Sequence, residues 1–198
     1  MQRAALGFRV HSGWTAAVAV TLADGTPAVL SRQKIELVNT FTYKFRQPYH
    51  TAKRIGLKDA PKFVAGVQAD AIALALAAIA AVQNDLNKNG CKLTHCALLQ
   101  AAGRALPALD KILASHALIH TADGELFRNS IANATETCGL SLTKIKEREL
   151  LDQASAVLRI KPDALQRRLT DLGRPLGPPW SQDEKLSALA AWLCLASP

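Results

Sequence analysis

The sequence predicts an α/β domain: three consecutive antiparallel strands, then helices alternating with two further strands, giving a five-stranded sheet flanked by helices. Three observations predict it. Residues 4–10 (AALGFRV), 14–22 (WTAAVAVTL) and 28–38 (AVLSRQKIELV) are strand-like, and they are joined by the short His11-Ser12-Gly13 turn and by the hairpin signal Asp24-Gly25. From Pro61 an alanine-rich stretch takes on helical periodicity. Beyond it, strand-like runs at 92–100 and 140–145 alternate with helical segments, the arrangement expected of helices packed on a sheet.

The elements follow in order. Residues 39–60 have no clear period and are rich in basic and aromatic side chains, so they are expected to form a long loop, functional or mobile. A helix runs from 61 to about 87, with Pro61 suited to a first helical position and Asn89-Gly90 ending it. The fourth strand, 92–100 (KLTHCALLQ), ends at the small-residue turn Ala101-Ala102-Gly103. A short helix at 106–114 precedes one from about 122 to 138, which Gly139 stops. The fifth strand covers 140–145. The C-terminal portion, 147–198, is helical at 147–158, Pro162–Leu172 and 182–195, and three prolines make 173–180 a rigid connector.

A chain of 198 residues with 49% hydrophobic residues forms one domain, 1–198, whose core needs no disulfide or metal. Cys91, Cys96, Cys138 and Cys194 are too few and scattered for a secreted disulfide framework. Cys91 and Cys96, with His95 between, lie in an apolar strand and are expected to be buried thiols rather than metal ligands. Met1-Gln2-Arg3 leads into an alternating segment and not an apolar block, so no signal peptide is expected. The most apolar stretch, 71–82, covers 12 residues between Asp70 and Asp85, which suits a core helix better than a membrane span. A cytoplasmic location without a membrane partner is the expectation.

The net charge of +8 favours polyanionic partners. Between residues 31 and 62, eight Lys and Arg stand against Glu36 and Asp59, a local surplus of six that accounts for most of the total. Within it, Phe41-Thr42-Tyr43-Lys44-Phe45-Arg46-Gln47-Pro48-Tyr49-His50 interleaves four aromatics with cations. Aromatic faces stack on unpaired bases and cations neutralise phosphates, so Lys44, Arg46, Tyr49, Lys53 and Arg54 are candidate nucleic-acid contacts. The same pattern also fits aromatics that plug the domain beneath solvated cations.

The segment Cys138-Gly139-Leu140-Ser141-Leu142-Thr143, continued by Lys144-Ile145-Lys146-Glu147-Arg148-Glu149-Leu150, resembles a stretch of Holliday-junction resolvases and their ribonuclease-H-like relatives. Residues Asp183-Glu184-Lys185-Leu186-Ser187-Ala188-Leu189-Ala190-Ala191 resemble the closing helix of that family. The resemblance implies a ribonuclease-H-like fold, with strands four and five returning parallel to the first through crossover helices. It also implies phosphodiesterase- or nuclease-like chemistry, if the chain is an enzyme. That chemistry uses paired divalent ions held by carboxylates on the first strand, the end of the fourth and the last helix. Here the first strand offers Phe8, Arg9, Val10 and His11 where the family has an aspartate. Gln100 stands for the family's glutamate; Asp183 matches the first acidic position of the last helix, and Leu186 takes the second. A degenerate acidic site is therefore expected. A divalent ion is allowed, but not at a two-metal centre, and the sequence names no cofactor. The phosphate loops of actin-like ATPases and the Walker loop are absent from the sequence.

His116 and His120 are spaced like two ligands on one helical face, but no H-E-x-x-H glutamate lies between them, and they are not assigned a metal. His120 with Glu125 would make a base and its orienting partner, or the mouth of an anion site, while Glu125 and Arg128 have the spacing of a helix-surface pair. Alternatively Thr121 and Asp123 cap the helix and the histidines pack beneath. His11, His120, Glu125 and Asp183 are the candidate catalytic residues. Ser12, Gln100, His116 and Arg128 are expected to complete a polar pocket for a phosphate or other anion at one end of the sheet. Asp183 also reads more simply as a helix-start carboxylate beside a Ser181 cap. Three function classes follow: a nucleic-acid-binding or -processing protein with an altered acidic site, a hydrolase or anion binder built on the histidines, and a non-enzymatic interaction module.

Overall fold

The computed structural model describes residues 1–101 and 105–196. Its five strands are β1 (Gln2–His11), β2 (Trp14–Ala23), β3 (Thr26–Glu36), β4 (Cys91–Gln100) and β5 (Ser141–Lys146), in sheet order β3-β2-β1-β4-β5. The first three form the expected meander, and β4 and β5 run parallel to β1. Asp24 and Gly25, both at positive φ (50° and 78°), make the tight hairpin between β2 and β3. Of the turn expected after β4, Ala102 and Gly103 lie outside the described residues.

Strand alternation sends side chains to two cores. Ala4, Leu6 and Phe8 of β1 join one, while Ala5 joins the other. Each large side chain fully buried in this way, Phe8 for example, contributes roughly 1.5–3 kcal/mol. On β4 the register slips at Thr94, which has no partner opposite Ala4 and Ala5. The extra residue reverses the alternation, so Cys91, Leu93, Cys96 and Leu98 all enter the first core. Cys91 and Cys96 are free, buried thiols, and burial pushes Cys96 up to about 12, keeping it protonated.

The first core is roofed by α3 (Ala60–Lys88) and α5 (His116–Thr137), with the short α4 (Leu109–Ala114) beside them. Helix α3 is 29 residues long, well beyond the apolar stretch read as a core helix, and by length and composition it could cross a membrane. In this fold it packs Val64, Val67, Ala71, Ala75, Ile79, Val82 and Leu86 inward, leaving Ala65, Ala69, Ala73, Ala77 and Ala81 exposed. Its inner face belongs to the first core, and its outer face is exposed. The start expected for α5 at residue 122 is also corrected: the helix begins at His116, because the Ser115 hydroxyl accepts the Leu118 N–H. Thr121 and Asp123 are therefore mid-helix and cap nothing.

Residues 39–60 are not a loop. They fold into α1 (Tyr43–Arg46) and α2 (Pro48–Ile55), which share an element break at Gln47-Pro48. Proline fits the first turn of α2, and burial of Thr51 and Ala52 against the domain stabilises a helix too short to stand alone.

The second core is covered by α8 (Gln182–Ala196), flanked by α6 (Leu150–Leu158) and α7 (Pro162–Leu172), after a 3-10 turn at Glu147–Glu149. Helix α8 lies directly on β1: a Cβ added to Gly7 would sit 1.8 Å from the Ser187 carbonyl oxygen. The 173–180 connector is held by Arg32 of β3, whose guanidinium donates to the carbonyls of Leu176 (2.9 Å), Gly177 (2.8 Å), Pro178 (3.2 Å) and Pro179. Arg32 is thus structural, although it belongs to the basic cluster by sequence.

Candidate functional site

Because Ala5 and Gly7 face α8, alternation directs Arg9 and His11 to the same side, toward the start of that helix. There Ser181 caps α8: its hydroxyl accepts the Asp183 N–H at 3.1 Å, and Glu184 accepts both the N–H and the O–H of Ser181. Glu184 completes the cap, which leaves the Asp183 carboxylate free to point at β1. It accepts from Arg9 Nη1 and lies 2.8 Å from His11 Nε2. On its other side Arg9 forks onto Glu147, Nε to Oε2 at 3.0 Å and Nη2 to Oε1 at 2.7 Å. One guanidinium therefore bridges two carboxylates at the carboxyl ends of β1 and β5.

The electrostatics follow. Arg9 has its pKa raised, first by the hydrogen bond to Glu147, with burial acting in the opposite sense and Asp183 adding to the rise. At Asp183 burial alone would raise the carboxyl, but the bonds from Arg9 and His11 prevail and hold it below the usual aspartate range. His11 stacks on Trp14, with ring centroids 4.3 Å apart and planes at 11°.

Beside this cluster an open cleft of about 680 Å³ lies where the parallel strands end. Its polar lining includes Gln100, Arg128, Glu147, Arg148, Gln182 and Lys185. Ligands of open α/β sheets bind outside the carboxyl ends of strands, and this cleft has that position. Gln100 and Arg128 both line this cleft.

The other expected partners separate. Glu125 accepts from Arg128, Nε at 3.0 Å and Nη2 at 2.9 Å, and does not pair with His120. Five residues apart on a helix is about 140° of rotation, which sends the two side chains to different faces. His116 and His120 do share a face, with their Nε2 atoms 3.0 Å apart, and they meet His50 of α2 and not the cleft. Asp123, almost fully buried, accepts from the Tyr49 backbone N–H at 2.7 Å and lies 2.5 Å from His50 Nδ1. Burial raises the Asp123 carboxyl against the opposing pull of those two bonds. Ser12 contributes its carbonyl, which accepts from Arg46 Nε at 3.1 Å. The single expected pocket is accordingly three groups: His11 with Asp183 and Arg9, the cleft with Gln100 and Arg128, and the histidine cluster.

The basic aromatic segment is also sorted by packing. Phe45 packs against Phe63 and the first core, and Tyr49 is half-buried, its phenol pKa raised by burial, so neither offers a free stacking face. Phe41 and Tyr43 are exposed. Lys34 and Arg46 lie over Phe41 at 4.8 and 4.3 Å, and Arg54 lies over Tyr43 at 5.0 Å. Lys44 and Lys53 are exposed.

Glu147 was missed in the sequence, where it reads as an ordinary helix start. Its position directly after β5, at the carboxyl end of a parallel strand, is the signal that marks it. His50 was read only as part of the aromatic run, because nothing local links it to Asp123, 73 residues away.

No family model and no curated protein matches the chain. Solved structures do. The structure of T. thermophilus RuvC in complex with Holliday junction substrate aligns with a TM-score of 0.52 and 8% identity, over 97% of this chain and 92% of that one. A second Thermus thermophilus RuvC structure aligns with a TM-score of 0.48 and 8% identity over 96% and 92%. The likeness to the first of these shows that the chain has a RuvC-like, ribonuclease-H-like fold.

Proposed function

We propose that this chain is a soluble, cytoplasmic nucleic-acid-binding protein that uses a ribonuclease-H-like sheet without two-metal phosphodiester chemistry. The observation that carries the reading is Arg9 seated between Glu147 and Asp183. The residues at this end of the sheet do not fit a pair of hard divalent ions: Asp183 is bonded to Arg9 and His11, both Glu147 oxygens face the guanidinium, and Gln100 adds no charge. A fixed guanidinium occupies by charge the place a cation would need. Binding is supported by the exposed Phe41 and Tyr43 among Lys34, Lys44, Arg46 and Arg54, which combine base-stacking faces with phosphate-neutralising cations.

Fluorescence anisotropy with single-stranded and four-way-branched DNA and RNA, read across a salt titration, tests this reading. Affinity that falls steeply with salt, on substrates that stay uncut in Mg²⁺, is expected. Absence of binding at low salt would leave an interaction module; cleavage would refute the altered centre.

A second reading is favoured by one feature. The cleft presents Arg148 and Lys185 beside Gln100 and Gln182, a lining suited to a small phosphate-bearing ligand. Competition by phosphate esters for the DNA-binding signal, lost on Lys185→Ala, would support it. The hydrolase reading built on His120 with Glu125 has no geometric basis, since those side chains do not meet.

A further inference from the structure

We propose that His50, His116 and His120 form a binding site for one late first-row divalent transition ion of the Zn²⁺ class, with Asp123 as the outer carboxylate that orients His50. The site is separate from the Arg9 centre and does not rest on nucleic-acid binding.

The ligand set comes from two helices. His116 and His120 are one turn apart on α5, so both rings project from the same face. Helix α2 packs across that face and brings His50 to them. One ring nitrogen from each of the three histidines lies within 4.8 Å of the others, and ring centroids are 4.5, 4.5 and 5.5 Å apart. Zinc–nitrogen bonds of about 2.0–2.1 Å in a tetrahedron place ligand nitrogens roughly 3.3 Å apart, so the His116–His120 pair is already near the required span. The third ring has only a small approach to make.

The outer layer strengthens the assignment. His50 Nδ1 faces Asp123 Oδ2 at 2.5 Å, so the ring donates its Nδ1 proton to the carboxylate and presents the Nε2 lone pair outward. The second oxygen of Asp123 is held by the Tyr49 backbone, which fixes the carboxylate and therefore the ring. A carboxylate–histidine pair behind a metal ligand fixes its tautomer and raises its basicity. Asp123 is 3% exposed in its side chain, and such a charge needs a nearby cation. The positive end of α5 works against a cation, and the buried carboxylate supplies the opposing charge.

Three imidazoles select zinc, copper, nickel or cobalt over magnesium and calcium, which want oxygen ligands. His116 and His120 are exposed, so the fourth position of a tetrahedral ion faces water. The ion would clamp α2, with Lys53 and Arg54, onto α5. The cysteines do not belong to this cluster.

The test uses the full chain, stripped of metal by a chelator, and Zn²⁺ alone as probe in calorimetry, with Co²⁺ absorption as the ligand readout. One Zn²⁺ per chain, a higher Tm with zinc, and cobalt bands without thiolate charge transfer are expected. The double variant His116→Ala/His120→Ala, altered at exposed positions, should keep its circular dichroism and lose stoichiometric binding. Asp123→Asn should weaken zinc affinity by about 10–100-fold. Failure of the wild-type chain to bind Zn²⁺, unchanged binding in the double variant, or cobalt spectra with thiolate bands would each overturn the proposal.

Discussion

Arg9 and Glu147, at the carboxyl ends of β1 and β5, are joined by two parallel hydrogen bonds of 3.0 and 2.7 Å, and the same guanidinium reaches Asp183. The pair is partly exposed, so its contribution lies between that of surface and buried ion pairs. Arg9→Met is expected to destabilise the fold by about 1–3 kcal/mol in urea unfolding. Arg9→Lys should recover only part of this, because an ammonium cannot fork onto Glu147 while holding Asp183.

Asp183 gives a pH signature. Its folded pKa is depressed, so its contribution to stability is present above the unfolded aspartate value, roughly 3.9, and is lost as pH falls through the folded value. The difference in unfolding free energy between the wild-type chain and Asp183→Asn should be full near neutrality and shrink in acid. A difference that grows in acid would contradict the assignment.

Two glycines predict opposite outcomes. Gly7→Ala drives a methyl into the Ser187 carbonyl, a backbone atom that cannot turn aside, and should cost about 3 kcal/mol or more. Gly66, inside α3, has open space around its Cβ position. Gly66→Ala should stabilise by about 0.4–1 kcal/mol through helix propensity and the unfolded chain. Thermal unfolding of the two variants checks the packing of α8 on β1 and the open outer face of α3, independently of function.

Most of the sheet was legible because its signals are local. Alternation at β1 and β2, the positive-φ pair Asp24-Gly25, and proline at the start of α3 and α7 each act within a few residues. Residues 43–55 were not legible, since α1 and α2 are short and α2 owes its form to burial of Thr51 and Ala52. The meeting of His11 with Asp183 was expected, because it depends only on which ends of the elements adjoin. The links from Arg9 to Glu147 and from Asp123 to His50 span 138 and 73 residues, and no periodicity encodes them.

The exposed aromatics and cations are expected to act on different parts of nucleic-acid affinity. Tyr43→Ala or Phe41→Ala should cost about 1–3 kcal/mol of single-strand binding through lost stacking. Lys44→Ala with Arg54→Ala should reduce the salt slope by roughly 0.7 for each phosphate contact removed. Tyr49→Phe, changed only at a half-buried phenol, should leave the affinity unaltered; anisotropy across a salt series separates these effects.

The proposed exclusion of divalent ions from the carboxyl end of the sheet rests on Arg9. Titrating Mn²⁺ into isotope-labelled protein and following paramagnetic broadening residue by residue measures this at the atoms concerned. The amides around Arg9, Glu147 and Asp183 are expected to keep their signals at millimolar Mn²⁺, on the order of the weak binding a neutralised site allows. Saturable broadening centred on Asp183 and Glu147, removed by Asp183→Asn, would show a cation held there and overturn the proposed exclusion.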